Sequence, residues 1–264
     1  MLGAIIGDIV GSRFEWNNYR SKDFIFFHEN SHYTDDTIMT IAVVKAILNS
    51  KLDRSDLGEK AIYYMRYFGQ KYQNHDYGGM FSDWLMTANP KPYNSFGNGA
   101  AMRVSACGFA AKSLEDAKLL SKLVTEVTHN HPEGLRGAEA TTVAIYLART
   151  GYTIPQIREY INKNYYPLDF TLDEIRDTYQ FNETCQDSVP QAIEAFLESE
   201  SFEDAIRNAI SIGGDSDTIA AITGGIAEAY YGIPKNIREI AIKYYLNDAI
   251  KDIIDEFEKR HKIY

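Results

Sequence analysis

The sequence predicts an all-α fold, a single compact bundle of many helices, and three observations predict it. Apolar residues recur at three- and four-residue spacings almost from end to end, no segment alternates apolar and polar residues over a strand's length, and helix breakers are sparse, with 18 Gly and 7 Pro in 264 residues. Leu2, Ile5, Ile6, Ile9 and Val10 form the first stripe, and Ile38, Ile41, Ala42, Val44 and Leu48 form a second. Further helical stretches are predicted at 57–72, 113–127, 134–148, 154–162, 189–197, 202–211, 218–231 and 236–259. Gly3, Gly7 and Gly11 recur every four residues, share one face of the first helix, and predict a second helix backbone packed closely on it. The same helix is expected to deliver Glu15 at its C-terminal end.

With 45% hydrophobic residues and no Pro-rich, Ser/Gly-rich or low-complexity linker, residues 1–264 are read as one domain with a full core. The opening MLGAIIGDIVGSRFE is apolar, but it lacks a basic leader and a cleavage site and carries Asp8, so a secretory signal is not expected. No apolar stretch approaches the roughly 18 residues of a membrane span. Only Cys107 and Cys185 are present, which gives no disulfide framework and fits a reducing, cytoplasmic setting. A net charge of −10 argues against binding along a nucleic-acid backbone, and leaves small nucleotides open.

Two segments resemble each other: Thr34-Asp35-Asp36-Thr37-Ile38 and Gly214-Asp215-Ser216-Asp217-Thr218-Ile219. Each sets acids and hydroxyls just ahead of an amphipathic helix. Capping explains one oxygen in each, because a Thr, Ser or Asp side chain satisfies free N–H groups at a helix start. It does not explain two carboxylates in each. Should the two helix ends meet, four Asp side chains share one small volume, and like charges at ~4 Å repel by about 4 kcal/mol per pair at an effective dielectric near 20. Such a cluster needs cations or protons. An all-oxygen set without Cys or nearby His selects Mg²⁺ or Mn²⁺ ahead of Zn²⁺, and a shared carboxylate suits two ions.

These residues resemble the ADP-ribosylglycohydrolase family, which includes the dinitrogenase reductase-activating glycohydrolases and the eukaryotic ADP-ribosyl hydrolases. The resemblance covers nearly the whole chain and rests on five landmarks in the family's order. They are GAIIGDIVGSRFE at the start, TDDT at 34–37, GNGAAMRVS at 97–105, the Thr-His of THNHPEG at 128–134, and GGDSDTIAAITGGIAEAYYG at 213–232. It implies an all-α bundle of that type with two Mg²⁺ or Mn²⁺ ions held by Thr34, Asp35, Asp36, Asp215, Asp217 and Thr218. Glu15 matches the family's acid beside the metals and the scissile bond. Without the resemblance it reads as a surface acid near a helix end.

Gly97-Asn98-Gly99 suggests a tight turn, since Asn-Gly favours positive φ, and the run AAMRVSACGFAA after it reads as a helix whose first N–H groups would make an anion site. The resemblance lays this loop along the pyrophosphate and distal ribose, which implicates Asn98, Gly99 and Met102, and aligns His129 with a histidine that contacts ADP-ribose. His131 has no such counterpart. Arg103 reads as a phosphate partner or as an ordinary solvated or ion-paired helix residue. Tyr19, Phe96, Tyr230 and Tyr231 are candidates to stack on adenine, or core and surface filler.

The activity implied is hydrolysis of the glycosidic bond between ADP-ribose and an acceptor, such as an ADP-ribosylated protein side chain, with ADP-ribose as product. Glu15, Asp35 and Asp36 are the expected proton-handling acids. Two rival readings remain: a two-metal nucleotide phosphohydrolase, and a non-catalytic ADP-ribose-binding protein, against which the intact set of acids argues.

Overall fold

In the computed structural model, which describes residues 1–73 and 77–263, the chain forms fourteen α-helices among the described residues. They are α1 Leu2–Gly11, α2 Asp35–Asn49, α3 Leu57–Lys71, α4 Gly79–Met86, α5 Ser105–Ala110, α6 Leu114–Thr125 and α7 Pro132–Arg149. They continue with α8 Ile154–Asn164, α9 Leu172–Ile175, α10 Cys185–Leu197, α11 Phe202–Ile210, α12 Ser216–Tyr231, α13 Lys235–Tyr244 and α14 Asp248–His261. A single 3-10 turn, Asn98–Ala100, precedes α5. Among the described residues the one strand-like pairing is an isolated antiparallel bridge between Gly97 and Thr184, so the all-α expectation holds. No helix of the described residues is long and apolar enough to cross a membrane.

Every residue of α1 is buried, as are the first thirteen of α12, and helices apolar all round belong at a centre. These two pack on each other antiparallel, with α2, α10 and α11 also against the pair and α7 against α12. The glycine face of α1 makes this approach possible. A methyl group on Gly7 would lie 1.9 Å from the Ala220 carbonyl oxygen, and one on Gly3 would lie 2.3 Å from that of Gly224. At Gly11 the added carbon would fall 2.5 Å from the Cα of Asp217. Close packing therefore brings the C-terminal end of α1 to the start of α12, where the second acidic segment lies.

Four expectations change. The stretch 236–259 is two helices, because Asn247 caps a new start, its Oδ1 accepting from the Ile250 N–H at 3.0 Å. Arg238 of α13 and Glu258 of α14 then pair in a bidentate bridge of 2.9 and 2.6 Å that holds the two together. Helix α10 begins at Cys185, four residues before its predicted start, and α4 and α9 lie outside every predicted stretch. The run after Gly99 is not one helix: it turns through Asn98–Ala100 and becomes α-helical only at Ser105.

Candidate active site

The starts of α2 and α12 face each other, and their acids converge. Thr218 Oγ1 donates to Asp36 Oδ2 at 3.1 Å, which joins the two segments directly. Glu15, Asp215 and Asp217 each offer a carboxylate oxygen within 4.8 Å of the others. Among the described residues Asp36 Oδ1 is buried with no hydrogen-bond partner. Capping is present at α2, where Thr34 Oγ1 accepts from the Asp36 N–H at 3.3 Å. At α12 Asp215 holds the cap position but bonds elsewhere, its Oδ2 accepting from Asn98 Nδ2 at 2.6 Å.

Asp8 organises this region, and sequence reasoning missed it. Wholly buried, it accepts from the Thr34 N–H at 3.0 Å, Thr34 Oγ1 at 2.8 Å, the Thr37 N–H at 3.1 Å and Thr37 Oγ1. It thus ties the start of α2 to α1. The signal was available as one acid in an otherwise apolar helix, between Gly7 and Gly11.

Glu15 lies on the turn that follows α1 rather than at the helix end, since the helix closes at Gly11. Asn18 on the same turn, at φ +47°, accepts from the Gly214 N–H at 3.1 Å through Oδ1. Arg20 donates to the carbonyls of Ile212, at 3.2 Å, and Tyr179. Gly213 and Gly214 run at φ +73° and +77°, and a methyl on Gly213 would sit 2.3 Å from Asn18 Oδ1. The turn that carries Glu15 is thereby clamped to the loop that carries Asp215.

A cavity of about 720 Å³ opens over the acids, lined by Glu15, Asp35, Asp36, Asp215, Asp217 and Thr218 on one side. Asn98, Gly99, Met102, Arg103, His129, Phe96 and Phe181 are among the residues that line the rest. Its size suits a dinucleotide-like ligand. Thr34 is not in the lining, because its hydroxyl serves Asp8 and the α2 cap. Tyr19, Tyr230 and Tyr231 lie away from it: Tyr19 packs on Phe14 and Phe24, and the Tyr pair packs on Phe196. Of the four aromatic candidates only Phe96 faces the cavity.

The turn at 97–99 departs from its expected geometry. Neither Asn98 nor Gly99 has positive φ. The N–H groups of Asn98, Ala100, Ala101 and Met102 are taken by the carbonyls of Glu183, Gly97, Asn98 and Asn98, so a helix-end anion site does not form. The side-chain amide of Asn98 donates to Asp215 and to Ser188 Oγ at 3.1 Å, making Asn98 a support for Asp215. His131 caps α7, its Nδ1 accepting from the Glu133 N–H at 3.1 Å.

Burial, and then the neighbouring acids, hold Asp35, Asp36 and Asp217 well above the usual carboxylate range, and burial lifts Asp215 to about 6. The partnerless Asp36 oxygen, joined through Thr218 to the start of α12 where Asp215 and Asp217 meet Glu15, gives an all-oxygen set that fits a hard divalent cation. The pH dependence follows. Without cation the native state keeps protons that the unfolded chain has lost above pH ~4, so the cluster's contribution to stability is present below that pH and disappears as pH rises through the folded values. In EDTA the melting temperature of the wild type, relative to an Asp36→Asn/Asp217→Asn variant, should fall from pH 5 to 7 by several degrees. Added Mg²⁺ should reverse the loss in the wild type alone. A difference that stays flat with pH would show that the acids do not share one field.

The family model described as ADP-ribosylglycohydrolase matches residues 1–262. The chain is 25% identical to ADP-ribosylhydrolase ARH3 of Mus musculus, with 88% of this chain and 83% of that protein covered, and 27% identical to ARH3 of Xenopus tropicalis, with 100% and 94% covered. It is 23% identical to ADP-ribosylarginine hydrolase Tri1 of Pseudomonas putida, over 97% of this chain and 76% of that one. A solved structure, an ADP-ribosylglycohydrolase-related protein complex, shares the fold at a TM-score of 0.71 and 20% identity, covering 99% of this chain and 95% of its own. By a match that runs over essentially its whole length, the chain belongs to the ADP-ribosylglycohydrolase family.

Proposed function

We propose that this ADP-ribosylglycohydrolase cuts the glycosidic bond between the distal ribose of ADP-ribose and an acceptor side chain on a modified protein, with Mg²⁺ or Mn²⁺ as cofactor. The family gives the reaction class, and one observation supports the site: two acidic helix starts converge on a nucleotide-sized cavity and leave a carboxylate oxygen without a partner. Asp35, Asp36, Asp215, Asp217 and Thr218, with Thr34 behind them, are the residues that would hold a pair of ions. Such ions, when bound, supply charge compensation for the acids and Lewis-acid orientation of ribose hydroxyls and water.

The remaining work falls to the chain's own groups. Gly99, Met102 and His129 bind the ADP-ribose, with Asn98 keeping Asp215 in place. Bond breaking leaves positive oxocarbenium character on the ribose, which the surrounding carboxylates stabilise. One carboxyl must move a proton on or off the leaving group, and Glu15, beside Asp215 and Asp217 in the lining, is the candidate, with Asp35 or Asp36 taking the proton of the attacking water.

The relatives are named for different linkages, so the test is a panel. Arginine-linked, serine-linked and polymeric ADP-ribose are incubated with the protein and Mg²⁺ or Mn²⁺. Release of free ADP-ribose from at least one, abolished by EDTA, is expected. AMP with ribose phosphate as products would indicate attack at phosphorus, and tight ADP-ribose binding without release would indicate a receptor.

A further inference from the structure

Of the readings of Arg103 as a phosphate partner or as a solvated or ion-paired helix residue, burial at the back of the cavity and the absence of an ion pair among the described residues remove the last two. Its side chain is 1% exposed, and among the described residues no carboxylate pairs with it. Burial lowers its pKa to about 10, so it remains a cation at neutral pH. Its contacts are with two neutral groups. Nη2 donates to Thr128 Oγ1 at 2.6 Å and faces His129 Nδ1 at 3.4 Å, while Thr128 Oγ1 and His129 Nδ1 stand 2.7 Å apart.

The donors and acceptors in reach favour one direction for these bonds. A guanidinium only donates, so Thr128 Oγ1 accepts from Arg103 and turns its own proton elsewhere. Two acceptors are in reach, the Thr125 carbonyl at 3.4 Å and His129 Nδ1 at 2.7 Å, and the shorter is the better bond. Both neighbours of Nδ1 are then donors. A lone pair on Nδ1 suits both, which places the ring proton on Nε2. Protonating both nitrogens would set a second buried cation against the first. Arg103 and Tyr93 are the titratable groups facing the ring, and Tyr93, pushed up to about 12 by burial, stays neutral. Burial, then the Arg103 charge, hold the imidazole well below its usual pKa.

The far side of the ring faces the cavity turn. Nε2 lies 3.5 Å from where a methyl on Gly99 would stand and 3.7 Å from one on Gly97. We infer that Arg103 is a positioning residue which, through Thr128, fixes His129 as the Nε2–H tautomer and presents it beside the 97–99 turn as a neutral donor to an acceptor oxygen of the ligand. This rests on ADP-ribose being the ligand. Arg103 lines the back of the same cavity, and the effect proposed for it passes through His129.

The experiment combines ring nitrogen-15 NMR of the whole protein without ligand and calorimetric titration with free ADP-ribose in Mg²⁺. The His129 Nδ1 signal should be that of an unprotonated nitrogen at pH 7 and should move in Thr128→Val. His129→Asn, His129→Ala, Arg103→Met and Thr128→Val should each weaken ADP-ribose about tenfold, one hydrogen bond's worth. His129→Gln, which returns an N–H near the Nε2 position, should recover most of it. In a His129→Ala background Arg103→Met should weaken binding no further. Should Arg103→Met fail to fold, Thr128→Val, nearly equal in shape, carries the same cycle. A protonated Nδ1, or an Arg103→Met loss that persists in the His129→Ala background, would overturn the inference. A wild type that binds no ADP-ribose, with Nδ1 unprotonated, would overturn the proposed function instead.

Discussion

Replacing Asp215 and Asp217 together by Ala is expected to abolish release of ADP-ribose, by at least about a thousandfold, while making the cation-free protein more stable. The two effects have one cause. Both acids sit at the start of α12 and, with Glu15, bring their oxygens within 4.8 Å. Removing them removes two of the oxygens that would hold cations, and metal-assisted charge stabilisation is worth several kcal/mol, where each 1.4 kcal/mol is a decade in rate. The same change relieves like-charge repulsion of about 4 kcal/mol per close pair at an effective dielectric near 20, which matters only while no cation is bound. Turnover on the linkage found by the panel and melting temperature in EDTA read the two quantities separately. A variant with lost turnover and a lower melting temperature in EDTA would point to damaged packing at Gly11, whose Cα face meets Asp217. Turnover above a tenth of wild type would remove these two acids from the mechanism.

Much of this site was legible because local spacing encodes it. The glycines at 3, 7 and 11 announce a close helix contact, and that contact sets the end of α1 against the start of α12. The paired acids at 35–36 and 215–217 announce charge beyond the needs of capping, and Thr218 joins them. What escaped the sequence was decided by tertiary partners. Asp8 looked like an oddity in an apolar helix, and its role depends on Thr34 and Thr37 arriving from α2. The anion site expected after Gly99 failed because the carbonyls of Gly97 and Asn98 take the N–H groups of Ala100, Ala101 and Met102. Propensity alone carries 236–259 as one helix, whereas Asn247 caps a restart. Tyr19, Tyr230 and Tyr231 were indistinguishable from Phe96 by composition, since nothing local says which side of a helix or loop a cavity lies on.

Glu15→Gln is expected to lower kcat by about 10²–10⁴ with affinity for ADP-ribose within about threefold of wild type. Gln preserves the side chain's size and one oxygen, so the cavity wall is unchanged, but it neither gives nor takes a proton at the scissile bond. The fold sets Glu15 apart from the two Asp, although its oxygen lies within 4.8 Å of theirs, where an ion could sit. Asp215 and Asp217 start α12, backed by its packing on α1, whereas Glu15 rides on a turn clamped by Asn18 and Arg20 to the 213–214 backbone. The clamp sets its distance from the acids without fixing it in a helix. Mg²⁺ titration of the melting temperature separates the roles. A Glu15→Gln protein that keeps its Mg²⁺-induced stabilisation and loses turnover has lost a proton carrier. One that loses both has lost a ligand, and the leaving-group proton must then pass through Asp35 or Asp36, the other acids that reach the cavity from α2.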